Sequence, residues 1–92
     1  MHILVCDDEK DIVSALTIYL QAEGYHVFGA ENGLQALEIL RREQVHLVLL
    51  DIMLPGMDGF SLCETIRHGD PYIGIIMASA KGQESDKIRG LS

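Results

Sequence analysis

The chain has 92 residues, of which 48% are apolar and 23% charged, and its 7 Lys and Arg against 14 Asp and Glu give a net charge of −7. This composition is that of one small globular domain and excludes intrinsic disorder. The acidic balance argues against direct nucleic-acid binding by this chain, because a nucleic-acid binder needs a basic surface.

Strand-like and helix-like segments alternate in the first half of the chain. Residues 2–6 are β-prone and mostly apolar, and the acidic residues 7–9 end this first strand. A first helix over residues 9–23 stops at Gly24, and a second strand covers residues 25–28. Asn32 caps a second helix, which ends with two arginines. The apolar face of the first helix consists of Ile12, Val13, Leu16, Tyr19 and Leu20.

The alternation continues in the second half of the chain. Residues 45–50 form an aliphatic run that is typical of a parallel strand covered on both faces, and it ends in Asp51. After a loop rich in Pro and Gly, Leu62 and Ile66 indicate a third helix. A fourth strand over residues 73–78 and a weakly indicated helix over 83–91 follow. Such an alternation predicts an α/β domain with a parallel sheet.

Membrane segments and disulfides are not indicated. The longest apolar run, residues 47–50, is too short to cross a membrane, and charge follows the first strand too early for a signal peptide. Cys6 and Cys63 lie far apart without a CxxC spacing, so we expect buried thiols. We therefore expect a cytoplasmic protein that does not bind membranes. Met53, Met57 and Met77 are interpreted as packing residues.

Acidic residues follow two of the predicted strands. Asp7 and Asp8 come after the first strand, and Asp51 ends the third. Ligands bind outside the carboxyl ends of the strands in open parallel sheets, so these three carboxylates should converge on one edge. Their mutual repulsion favours a hard divalent cation, and Mg²⁺ fits best. Zn²⁺ is disfavoured, because the four histidines lie in separate elements.

Each candidate residue also has a purely structural interpretation. Asp7 and Asp8 could cap the first helix, and Asp51 could be a turn residue. Ser79 could be an ordinary hydroxyl at a strand end, and Lys81 a solvated charge. The joint placement of the acids and Ser79 at strand ends favours a functional site.

Five segments of the chain together match a known family. They are residues 3–9, 32–33, 36–37, 49–60 and 76–82. Through them the sequence resembles the receiver domain of two-component response regulators along all 92 residues. The stretch around Asp51 is the most specific, and its form resembles the branch whose receivers usually precede a winged-helix DNA-binding domain. The resemblance implies one receiver domain over residues 1–92 with a flavodoxin-like, doubly wound parallel sheet of strand order 2-1-3-4, in which the fifth βα unit of the family would be missing.

The resemblance also implies roles for individual residues. Asp51 matches the phosphoacceptor. Asp8 and Asp51, with the main-chain carbonyl of Met53, would hold Mg²⁺, and Asp7 would act through a water. Ser79 matches the switch hydroxyl that contacts the phosphoryl group. Lys81 does not match the lysine that closes the family's fifth strand.

The implied function is acceptance of a phosphoryl group from a sensor histidine kinase. The domain would catalyse its own phosphorylation and dephosphorylation without being a conventional enzyme, and it would control transcription through a DNA-binding domain absent from this chain. An alternative is a receiver-like interaction module that takes no phosphate. A related phosphohydrolase would need a second Asp two residues after the nucleophile, where Met53 stands. Because the chain ends at Ser92, we expect an exposed fourth strand and a homodimer or oligomer.

Overall fold

The structure, a computed structural model, describes residues 1–54 and 58–78. Strands and helices alternate within these ranges as the sequence predicts. The predicted helix over residues 83–91 lies outside them. No helix in the described part of the chain is long and apolar enough to cross a membrane. The elements are β1 (His2–Cys6), α1 (Lys10–Ala22), β2 (His26–Ala30), α2 (Gly33–Arg42), β3 (Leu47–Asp51), α3 (Gly59–Gly69) and β4 (Gly74–Ala78).

The four strands form one parallel sheet in the order β2-β1-β3-β4, which confirms the expected flavodoxin-like arrangement. Val5 of β1 lies between Gly29 of β2 and Leu49 of β3. Asp51, the last residue of β3, is paired with Ala78 of β4. β2 lies on one side of β1, whereas β3, the next strand in the chain, lies on the other side of β1. The switch in strand order therefore lies between the carboxyl ends of β1 and β3, where a ligand site is expected.

Local signals in the sequence determine where the helices begin and end. Asn32 caps α2, because its Oδ1 accepts a hydrogen bond from the amide of Gln35 at 2.9 Å. Asp58 caps α3 in the same manner, accepting from the amide of Phe60 at 3.1 Å. Helix α1 ends before Gly24, whose φ of +96° lies in the left-handed region that favours glycine.

The second strand extends further than predicted. The sequence predicts residues 25–28, but β2 covers His26–Ala30 and so includes Gly29. Glycine is depleted in strands, so the sequence pattern does not favour this extension. A Cβ on Gly29 would lie 2.9 Å from Cγ1 of Val13 in α1. The missing side chain lets α1 pack closely against β2.

The core lies between the sheet and the pair of helices α2 and α3. Leu62 is fully buried and Ile66 is 4% exposed, as their spacing in α3 predicts. Close packing on this face holds α3 firmly against the sheet. The cluster includes Leu4, Cys6, Ala36, Ile39, Val48, Leu50, Leu62 and Ile66.

The opposite face of the sheet is covered less completely, and one prediction is wrong there. Tyr19, which the spacing assigns to the apolar face of α1, is 64% exposed. β3 is not buried on both faces, because Leu47 and Leu49 are only half-buried. This face of β3 is left partly uncovered because α1 lies over β1 and β2. An apolar cavity of about 270 Å³ is left between α1 and strands β1, β3 and β4, and Ile76 in its lining is 52% exposed.

The cysteines and methionines follow the predictions only in part. Cys6 is buried and Cys63 is half-buried, and both are free thiols. Met77 packs against the core, as expected. The sequence predicts Met53 to be a packing residue, but Met53 is 62% exposed because it lies in the loop after β3. Met57 lies outside the described residues.

Candidate functional site

The three predicted acids meet at the carboxyl edge of the two central strands. Asp7 follows β1, and Asp51 is the last residue of the neighbouring strand β3. Each of Asp7, Asp8 and Asp51 offers one carboxylate oxygen, and these oxygens all lie within 4.8 Å of one another. Asp7 is 5% exposed, Asp51 is 3% exposed and Asp8 is half-buried. We call this group the acidic cluster.

Backbone amides orient two of the three carboxylates. Oδ1 of Asp7 accepts a hydrogen bond from the amide of Glu9 at 2.9 Å. Oδ1 of Asp51 accepts from the amide of Met53 at 3.0 Å, while its Oδ2 is fully buried. In both cases the side chain bonds to the backbone two residues further on, as in an Asx turn. The cluster is therefore built by the turns that follow β1 and β3.

The capping interpretation of the first two acids receives little support. The N-cap of α1 is Glu9, which follows both aspartates, and its own side chain makes no capping hydrogen bond. Asp7 bonds to the amide of Glu9, which precedes the first helical residue. Asp7 and Asp8 are therefore positioned before the helix, facing the end of β3.

The acidic cluster produces a negative potential at the end of the sheet. Burial, followed by the charges of Asp7 and Asp51, raises the pKa of the neighbouring Cys6 thiol to about 12. Two almost fully buried carboxylates beside a third are costly unless a cation offsets their charge. Oxygen donors at this separation suit a hard divalent cation such as Mg²⁺.

Of the other predicted site residues, the structure describes Met53 but not Ser79 or Lys81. The amide of Met53 bonds to Asp51, so this residue lies directly at the site, but the role of its carbonyl stays a prediction. Ser79 and Lys81 lie outside the described residues. Ser79 follows Ala78 in the chain, and Ala78 is the cross-strand partner of Asp51.

One residue at the site was not identified from the sequence. Asp58-Gly59 reads as a loop signal, but Gly59 is the first residue of α3 and its amide donates to the carbonyl of Ile52 at 3.3 Å. Ile52 directly follows Asp51. The signal that the sequence offers is the position of Asp58-Gly59 within residues 49–60, the most specific segment of the family resemblance.

Three histidines lie at the amino end of the sheet, opposite the acidic cluster. The ring of His2 is 4.9 Å from that of His26 and 5.2 Å from that of His46, centroid to centroid. They belong to separate elements, as predicted, but these elements are neighbours in the sheet. Within residues 1–54 and 58–78, the group of side chains placed closely enough to hold a metal ion is the acidic cluster and not the histidines. A zinc site at the histidines therefore gains no support.

Comparison with known proteins finds relatives over nearly the whole chain. The family model of the response regulator receiver domain matches residues 3–92. The regulatory proteins VanRc of Enterococcus gallinarum and VanR of Enterococcus faecium are each 42% identical to this chain over 90 residues. The match covers 98% of this chain and 38% of each relative, so the chain spans well under half of their length.

Solved structures of similar proteins have the same fold. A CheY-like response regulator receiver domain protein from Methanospirillum hungatei has a TM-score of 0.83 at 30% identity, over 98% of this chain and 72% of that one. The response regulator TrrA of Thermotoga maritima, solved in complex with Mg²⁺ and BeF, has a TM-score of 0.82 at 36% identity. That match covers 98% of this chain and 78% of TrrA.

Proposed function

Because this chain belongs to the response regulator receiver domain family, we propose that it accepts a phosphoryl group on Asp51 from a sensor histidine kinase. The observation that carries the proposal is the position of Asp51. This residue is 3% exposed and ends a central strand, and one of its carboxylate oxygens lies within 4.8 Å of an oxygen from each of two further carboxylates. This is the edge of the sheet at which α/β folds bind ligands.

Asp51 acts as the nucleophile in the proposed reaction. A carboxylate oxygen attacks the phosphorus of the kinase's phosphohistidine, so that a P–O bond forms while the P–N bond breaks. The imidazole leaves with the electron pair. The amide of Met53 donates to Oδ1 of Asp51 at 3.0 Å, which holds the carboxylate in one orientation before the attack. In dephosphorylation water attacks the same phosphorus, the P–O bond to Asp51 breaks, and inorganic phosphate leaves while the carboxylate is restored. The domain catalyses both reactions on itself.

The acidic cluster would hold the metal. Asp8 and Asp51, with the carbonyl of Met53, would bind Mg²⁺ directly, and Asp7 would act through a water. Bound Mg²⁺ would offset the charge of the carboxylates and of the phosphoryl oxygens. The similarity to TrrA, which was solved with Mg²⁺ and BeF, supports this assignment.

Ser79 is proposed as the switch hydroxyl. A phosphoryl group on Asp51 adds a charge of roughly −2 and new acceptor oxygens. The Ser79 hydroxyl would donate a hydrogen bond to one of them. Support comes from the register of the sheet, because Ala78, the residue before Ser79, is paired with Asp51.

The whole protein is proposed to be a cytoplasmic regulator of transcription. The two VanR relatives are regulatory proteins, and this chain matches 38% of their length. The remaining part would include the DNA-binding domain that carries the output. Residues 1–92 would form the receiver domain, which would not itself bind nucleic acid.

Chemical phosphorylation tests the proposal directly. We expect acetyl phosphate with Mg²⁺ to label the chain on Asp51, as mapped by mass spectrometry of borohydride-trapped peptides. Asp51→Asn should take no label, whereas Asp11→Asn, which removes an exposed acid on α1, should label normally. Label on Asp7, Asp8 or Ser79 would overturn the assignment. A folded, Mg²⁺-binding chain that takes no label would support the interaction module instead.

A further inference from the structure

A contact between two backbones lies directly beside the proposed acceptor. A Cβ placed on Gly59 would be 2.8 Å from both Cα and the carbonyl oxygen of Ile52. Non-bonded carbon and oxygen atoms do not approach so closely. Because both atoms belong to the main chain, rotation of a side chain could not relieve the overlap. Only glycine at position 59 lets α3 touch the chain between Asp51 and Met53.

Three hydrogen bonds hold this short segment. The amide of Ile52 donates to the carbonyl of Ala78 in β4 at 3.1 Å, and the carbonyl of Ile52 accepts from Gly59 at 3.3 Å. The amide of Met53 donates to Oδ1 of Asp51 at 3.0 Å. Ile52 is thus tied to the sheet on one side and to α3 on the other. A displacement of Ile52 must lengthen at least one of these bonds.

The packing determines which side would move. Helix α3 is fixed by Leu62, which is fully buried, and by Ile66, which is 4% exposed. A close-packed core resists retreat of the helix. Ile52 is half-buried, and Met53 is 62% exposed in the loop. A side chain on Gly59 would therefore displace the loop.

We infer that Gly59 is a positioning residue for the phosphoryl-acceptor site. Its missing side chain lets α3 hold the peptide of Ile52, and through that peptide the carboxylate of Asp51 and the carbonyl of Met53. Gly59 itself touches neither the metal nor the phosphoryl group. The inference rests on the proposed function, because it assigns Asp51 and Met53 to the Mg²⁺ site.

Three glycine-to-alanine variants separate positioning from stability. Gly69→Ala is the matched control on the same helix, because no atom lies within 4 Å of its Cβ. Gly29→Ala is the overpacking control, because its Cβ would be 2.9 Å from Val13 and it lies in β2, a strand that holds none of the three acids. For each variant we would measure the Kd for Mg²⁺ by calorimetry, the free energy of unfolding in urea, and labelling by acetyl phosphate.

Gly59→Ala should weaken Mg²⁺ binding about 10- to 100-fold, the usual effect of losing support behind a metal ligand. It should also slow labelling of Asp51 at saturating Mg²⁺. Gly69→Ala should match the wild type, and Gly29→Ala should lower stability while leaving the Kd unchanged. If Gly59→Ala is unfolded in buffer, all four proteins are compared in trimethylamine N-oxide, which favours the compact state.

The inference is overturned if folded Gly59→Ala keeps the wild-type Kd and labelling rate. It is also overturned if Gly29→Ala loses Mg²⁺ affinity to the same degree, or if Gly59→Ala alone stays unfolded in the osmolyte, because the contact would then serve the fold as a whole. Failure of the proposed function has a different signature, since the wild-type chain itself would bind Mg²⁺ without taking label on Asp51.

Discussion

Replacing Asp8 with asparagine should stabilise the chain without Mg²⁺. The oxygens of the acidic cluster lie within 4.8 Å of one another. At an effective dielectric constant of about 20, two unit charges at that separation repel by about 3.5 kcal/mol, and Asp8 takes part in two such pairs. Because Asp8 is half-buried, solvent screens most of this repulsion. We expect a net gain of about 1–2 kcal/mol in the free energy of unfolding.

The order of stability should reverse when Mg²⁺ is present. A ligand that binds only the folded state adds about 2.7 kcal/mol at 100 times its Kd. Asp8→Asn lacks one charged ligand, so Mg²⁺ should add much less to its free energy of unfolding. The wild type therefore becomes the more stable protein. Urea unfolding followed by circular dichroism, in EDTA and in MgCl₂ at matched ionic strength, measures both effects. Matched ionic strength is needed because salt alone screens the cluster.

Asp11→Asn provides the control for this comparison. Asp11 is exposed in the first turn of α1, so its replacement removes the same charge outside the cluster. It should cost about 0.5 kcal/mol through the helix dipole and keep the full Mg²⁺ gain. The reasoning is wrong if Asp8→Asn is less stable than the wild type in EDTA, or if Mg²⁺ stabilises both proteins equally.

Three further predictions concern the core, the thiols and the exposed face. Leu62→Ala should lower the free energy of unfolding by about 2–5 kcal/mol in urea titrations, because Leu62 is fully buried, whereas Leu34→Ala, at a 75% exposed site, should change it by less than about 0.5 kcal/mol. Iodoacetamide at about pH 8 should modify half-buried Cys63 before Cys6, whose pKa is raised to about 12 by burial and by nearby carboxylates, as peptide mapping would show. The chain should self-associate through the apolar face that includes Ile76. Light scattering should show an average mass that rises with protein concentration and with salt, because salt screens the repulsion between negatively charged chains. Ile76→Ser should lower this average mass.

The order of elements and the position of the acidic cluster were predictable because their signals are local or follow from topology. Asn32 caps α2 and Gly24 follows the end of α1, as the sequence predicts, because each signal depends only on the residues next to it. Asp7 directly follows β1 and Asp51 ends β3, and the carboxyl ends of these parallel strands share one edge of the sheet. Their convergence therefore needed only the alternation of strands and helices.

Burial on the α1 face and the role of the glycines were decided by the tertiary structure alone. Tyr19 has the spacing of the apolar face of α1, yet it is 64% exposed, so its position on the helix does not by itself decide its burial. Gly29 lies beyond the predicted end of the second strand and Gly59 belongs to a loop signal, yet each allows a close approach to another element. A glycine in a sequence indicates only that a side chain is missing. A side chain on Gly29 would overlap with Val13, and one on Gly59 would overlap with Ile52. These neighbours come close to the glycines only when the chain is folded.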